Sequence, residues 1–158
     1  MHKSSYLLAA KSNLTMCIAI CLWIIAQIIT VIHYWDVPQM SDAYSYCFFA
    51  IKVADNNVFY PTKEMVTNGE YIFNPGFINY LSLVWRTFGS MNYALVFNII
   101  LNCLLLASIF RIALKTASRS VANWTATLFC LLSSNTLIVP QLMTELPFLA
   151  SPCAPLPF

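Results

Sequence analysis

Carboxylates are the side chains of this sequence with chemistry to offer, and they are few. The acids are Asp36, Asp42, Asp55, Glu64, Glu70 and Glu145. An ionised carboxylate can take a proton from a hydroxyl held within about 3 Å, or can ligate a divalent cation. Asp42 is placed for either role. Pro38 and Ser41 precede it, and Ser41 is a suitable helix N-cap. Ser45, Tyr46, Phe49 and Val53 follow at helical spacing, so Asp42 and Tyr46 fall on one face. In a first turn the helix dipole favours the ionised form. The same preference brings acids to helix starts with no chemistry attached, so a solvated N-terminal residue is the competing reading. Cysteine offers less. Cys17, Cys21, Cys103 and Cys130 lie in apolar stretches and read as small hydrophobes. No CxxC or Cys/His spacing occurs, so no metal centre is expected.

The elements that must position these acids are unusually apolar. Charged residues make up 9% of the chain, where a soluble domain carries about a quarter. Mean hydropathy is +0.70. Three stretches, 12–35, 87–110 and 120–144, hold no charge at all. Each exceeds the ~20 residues that cross a ~30 Å hydrocarbon core. The pattern predicts an all-α, polytopic transmembrane bundle, a single transmembrane region over 1–158, with spans near 14–35, 91–110 and 121–143. An external loop, 36–86, then separates the first two spans, and a proline-rich end occupies 145–158. The first stretch is too long for a secretory h-region and lacks a small-residue cleavage site, so it reads as a retained anchor. Tyr34 and Trp35 sit where an aromatic belt belongs.

Charge placement gives an orientation. Lys3, Lys11, Arg111, Lys115 and Arg119 lie on one side with no acid. Lys52, Lys63 and Arg86 lie on the other with all the acids. Five bases against three put the N-terminus in the cytoplasm and 36–86 outside. The loop carries helix-ending signals at Asp55-Asn56-Asn57 and turn signals at Asn68-Gly69 and Asn74-Pro75-Gly76. Its apolar run Phe77–Phe88 is too short to span and reads as a helix in the interface, with Gly89 as a stop. Asn98 and Asn102 share a face, and 121–143 is rich in Ser, Thr and Asn. In lipid such groups seek helix partners. The sequons at Asn13 and Asn123 fall at cytoplasmic span ends and are discounted. No basic stripe suggests a nucleic-acid partner.

Three local patterns, taken in order, carry a family resemblance. They are Ser41-Asp42-Ala43-Tyr44-Ser45-Tyr46, then Asn74-Pro75-Gly76-Phe77-Ile78-Asn79-Tyr80-Leu81 with Phe88-Gly89, and then Thr144-Glu145-Leu146-Pro147-Phe148. The arrangement resembles the membrane-embedded GT-C glycosyltransferases, which include protein O-mannosyltransferases and lipid A aminoarabinose transferases. That resemblance implies sugar transfer from a polyprenyl-phosphate donor to an external acceptor, beside the lipid bilayer. It implies Asp42 as the base that takes the acceptor proton, or as a ligand of a divalent cation at the leaving phosphate. Tyr44 and Tyr46 would stack on a sugar; an interfacial anchor is the other role for them. Glu145 would meet the acceptor, or stand as a flanking charge. Arg86 would approach the lipid phosphate, where bases are in any case common. The compartment implied is a bacterial inner membrane, with an organellar membrane as the alternative.

The chain departs from that pattern in carrying one acid where many relatives have two adjacent. Prolines at 147, 152, 155 and 157 stop a fourth helix from completing. The sequence therefore reads as the N-terminal portion of such an enzyme, truncated or frame-shifted and inactive by itself. A rival from another class is a small non-catalytic three-helix protein that packs against helix partners in the membrane.

Overall fold

The computed structural model describes residues 2–142 apart from 71, 133, 138 and 141, with side chains from Asn13 onward. Glu145, the expected incomplete fourth helix and the proline-rich end lie outside the described residues. The fold is all-helical. Its elements are α1 (His2–His33), α2 (Ser41–Asp55), α3 (Lys63–Thr67), α4 (Pro75–Phe88), α5 (Asn92–Thr116), α6 (Arg119–Leu131) and α7 (Ser134–Leu137). Among the described residues, two helices are long and apolar enough to cross a membrane, Asn13–His33 of α1 and Asn92–Thr116 of α5.

Among the described residues, the stretch expected to be a third span over 121–143 is not one continuous helix. α6 has 13 residues, which at 1.5 Å per residue is about 20 Å, short of the ~30 Å core. It stops at Leu131, and only the single turn of α7 follows before Val139 and Pro140. The physical reason is local competition for backbone groups. Asn135 Nδ2 donates to Phe129 O at 2.7 Å, turning the chain back on the end of α6. Short polar side chains that bond the backbone in this way compete with continued helix.

The helices form two packed groups. α1, α5 and α6 pack on one another, with α7 against α1. α2 packs against α4, and α4 meets α5. The second group is ordinary apolar packing. Ile78 and Leu81 of α4 are fully buried with Ala50 and Val53 of α2. Tyr46 sets its ring edge-on to Phe73 and Phe77, with centroids 5.8 and 5.3 Å away.

α4 begins and ends on identifiable chemistry. Asn74 Oδ1 accepts from Phe77 N at 3.3 Å, and Pro75 occupies the first turn. An N–H missing there costs nothing. At the other end Gly89 adopts φ +69° and returns its N–H to Trp85 O at 2.8 Å, a left-handed cap that suits glycine. Within α4, Asn79 clamps the preceding loop. Its Oδ1 accepts from Tyr60 N at 2.9 Å, and its Nδ2 donates to Tyr60 O at 2.8 Å. The Tyr60 hydroxyl in turn accepts from Phe73 N at 3.0 Å.

Candidate functional site

The first bundle is held together by side-chain amides. Asn102 Nδ2 donates to Gln27 Oε1 at 3.0 Å and to Asn135 O at 2.6 Å. One turn earlier, Asn98 Nδ2 donates to Val139 O at 2.9 Å. The two asparagines thus strap the broken stretch after α6 against α5. Irregular backbone among apolar helices persists only where its carbonyls find partners. Gln27, Asn98 and Asn102 are each at most 2% exposed. At the far end of the bundle Asn123 Nδ2 donates to Asn13 Oδ1 at 2.6 Å, joining the two sequon asparagines.

This strap continues to the loop that carries Asp42. Gln39 Nε2 donates to Pro140 O, and Gln39 Oε1 accepts from Leu142 N, both at 3.2 Å. One side chain therefore reads two backbone groups of a segment 101 to 103 positions away. The contact sets Pro140 and Leu142 beside the start of α2. Two cavities flank Gln39. One, of about 460 Å³, is lined by Tyr34, Met40, Ser41, Leu137 and Pro140 among others. The second, of about 350 Å³, is lined by Asp36, Tyr44, Trp85, Asn92 and Leu142 among others.

The residues singled out from sequence are dispersed. Asp42 lies in the first turn of α2 and is exposed, and it is absent from the linings of both cavities beside Gln39. Ser41 does not serve as the N-cap. Met40 takes that position without a side-chain cap bond, and Ser41 starts the helix at φ +56°. Tyr44 is exposed and stacked on Phe48 at 6.5 Å. Tyr46 turns the other way, into the aromatic cluster with Phe73 and Phe77. The shared face of Asp42 and Tyr46 is therefore half core.

Arg86 is engaged at the opposite end of α2. Its guanidinium donates to Val53 O at 3.0 Å and to Val58 O at 2.8 Å. Beside it Trp85 Nε1 donates to Asp55 at 3.1 Å. A cation on the last carbonyls of a helix complements its dipole. Val53 lies 11 residues beyond Asp42, about 17 Å along the axis, so Arg86 and Asp42 are not brought together. No group of three or more His, Cys, Asp or Glu that could hold a metal ion occurs among the described residues.

Two residues were missed from sequence. Asp36 reads as a charge closing the first span, yet it lines a cavity with three aromatic rings. Gln39 carries no motif, and its two-point contact depends on a strap a hundred residues away. Burial pushes the Cys47 thiol, on the wall of the same cavity, up to about 11, so it stays protonated and inert. No family model matches the chain, and no curated protein or solved structure is significantly similar to it.

Proposed function

We propose that this is an integral membrane protein of the glycosyltransferase kind, moving a sugar from a polyprenyl-phosphate donor to an acceptor on the non-cytoplasmic side. In this reading α1 and α5 cross the bilayer and α2–α4 stand outside it, α4 at its surface. The N-terminus is cytoplasmic, by the distribution of Lys and Arg. Asp42, in the first turn of α2, takes the proton of the acceptor hydroxyl.

The observation that supports the reading most is the Gln39 contact. It draws together the loop before Asp42 and the strap that leads, three residues after Leu142, to Glu145. In sequence, the Thr144-Glu145 pattern begins two positions after Leu142. The test is transfer from a panel of polyprenyl-phosphate sugars by the complete gene product. Asp42→Asn should leave expression unchanged and lower transfer by ~10²–10⁴-fold. Transfer at the unsubstituted rate removes Asp42 from the mechanism.

A second reading is a non-catalytic membrane protein that packs on a larger partner. One observation favours it: Asp42 stands exposed, outside both cavities at the Gln39 loop. Absence of transfer with every donor, together with co-purification of a stable helical partner, would favour that reading.

A further inference from the structure

We infer that the cavity of about 350 Å³ between the end of α1, the outer side of α2 and the α4–α5 junction binds a single neutral sugar ring, with Asp36 as its main hydrogen-bond acceptor. The ligand class rests on the sugar chemistry proposed above; the location rests on the cavity.

Its lining has the composition a pyranose requires. A sugar ring is apolar on its C–H faces and polar around its rim. Trp35, Tyr44 and Trp85 supply aromatic surface, while Asp36 and Asn92 supply polar groups. Aromatic walls with a few placed polar groups are the usual make-up of small-molecule sites, and this volume is at the low end of their ~300–1,000 Å³ range. It suits one ring and excludes a helix, which is about 10 Å across.

The walls are fixed before any ligand arrives. The Trp85 indole is tied to Asp55 at 3.1 Å. The Trp35 ring meets Tyr93 edge-on at 5.8 Å. Gln39, on the same wall, has both amide atoms committed to the strap. By contrast the Asp36 carboxylate and the Asn92 side-chain amide have no partner among the described residues. Rigid walls with two uncommitted polar groups lower the ordering cost of binding.

Charge narrows the ligand further. No Lys or Arg lines this cavity, and its one charged side chain is a carboxylate. An anionic phosphate would be repelled there. The hydroxyls of a neutral ring would donate to Asp36, and hydrogen bonds to a charged group are the stronger kind.

The experiment is a titration of the full chain, purified in detergent, with free neutral monosaccharides, followed by tryptophan emission. Inorganic phosphate and choline are run beside them. At least one sugar should give a saturable change that Trp85→Phe reduces. Asp36→Asn should weaken that sugar about 10-fold or more, and Tyr44→Ala, on an exposed side chain, should also weaken it. Glu70→Gln, outside the lining of this cavity, should leave it unaltered. No saturable response to any sugar overturns the inference, as does a response indifferent to both Asp36→Asn and Tyr44→Ala, or tighter binding of phosphate or choline. Sugar binding that depends on Asp36, without transfer from any donor, would remove the proposed reaction and leave the cavity assigned. Transfer without such binding would do the reverse.

Discussion

The two helix groups differ in where their polar side chains lie. In α1, α5 and α6 the buried polar residues are Gln27, Asn98, Asn102, Asn123 and Thr127, while Leu14, Ile18, Leu22, Ile25, Ile100, Leu104 and Leu128 are exposed. In α2 and α4 the buried residues include Ala50, Val53, Phe77, Ile78 and Leu81, while Asp42, Lys52, Asp55 and Arg86 are exposed. A water-soluble unit gains by hiding apolar surface. Helices in hydrocarbon gain nothing that way and associate through packing and polar contacts. A chain that did both would suit two solvents, as the proposed membrane arrangement requires.

The contrast predicts different responses to mutation. The largest effect belongs to the α2–α4 pair, where apolar burial is the holding force. Ile78→Ala leaves a cavity at a side chain that is 0% exposed, and such truncations cost about 2–5 kcal/mol. Unfolding in detergent should show α2–α4 losing stability by that order. An unaltered transition would mean that apolar burial does not hold this pair.

Next in size is Asn102→Leu, an apolar change that would be harmless on the lipid face of α5. Here it strips a donor from Asn135 O and from Gln27 Oε1. Leaving a buried polar group unpaired costs about 1–3 kcal/mol. The variant should be less stable, and its strap should gain hydrogen exchange around residue 135. Leu104→Ile, exposed on the same helix, should be silent. Equal stability of the two variants would mean that the amide contacts do not hold the bundle.

These two regions were unequally legible. The stops at Asp55-Asn56-Asn57 and Gly89 could be read because their chemistry is local. Asn56 and Asn57 return their N–H groups to Lys52 O and Ala54 O, and Gly89 supplies a positive φ. Asn98 and Asn102 could be read as seeking partners, since their spacing puts both on one face. Their partners could not: Gln27 lies 75 positions away on α1, and the others are carbonyls in the broken stretch after α6. Hydropathy averages over a window, and Ser133, Asn135 and Pro140 barely lower it. The Ser41 cap failed for a similar reason: Gln39 is pinned to the strap, and the chain enters α2 one residue earlier than the capping rule places it. Tyr46 shares a helical face with Asp42 by spacing, but spacing does not say that Phe73 and Phe77 cover it. Of the candidate site, Glu145 lies outside the described residues.

The smallest effect sharpens which side of the molecule meets water. Hydrogen bonds from its own backbone N–H and from Thr62 hold the Glu64 carboxyl below its ordinary value of 4.5. Its folded pKa is therefore the lower one, so its contribution is present above the unfolded value and fades as pH falls through the folded value. Glu64 is fully exposed, so the slope should be slight, confined to acid below about pH 4.5, and absent in Glu64→Gln. No difference between the two proteins in that range would show that the cap of α3 adds nothing.

The central claim is that α2–α4 face an aqueous compartment across the membrane from the Arg111–Arg119 connector. Single cysteines at Glu70 and Ser118, placed in a chain with its native cysteines replaced, test it with an impermeant thiol reagent on intact cells. The account predicts labelling at position 70 and protection at position 118 until the cells are permeabilised. Labelling at 118 with protection at 70 would reverse the orientation, and equal labelling at both without permeabilisation would contradict the two-sided arrangement itself.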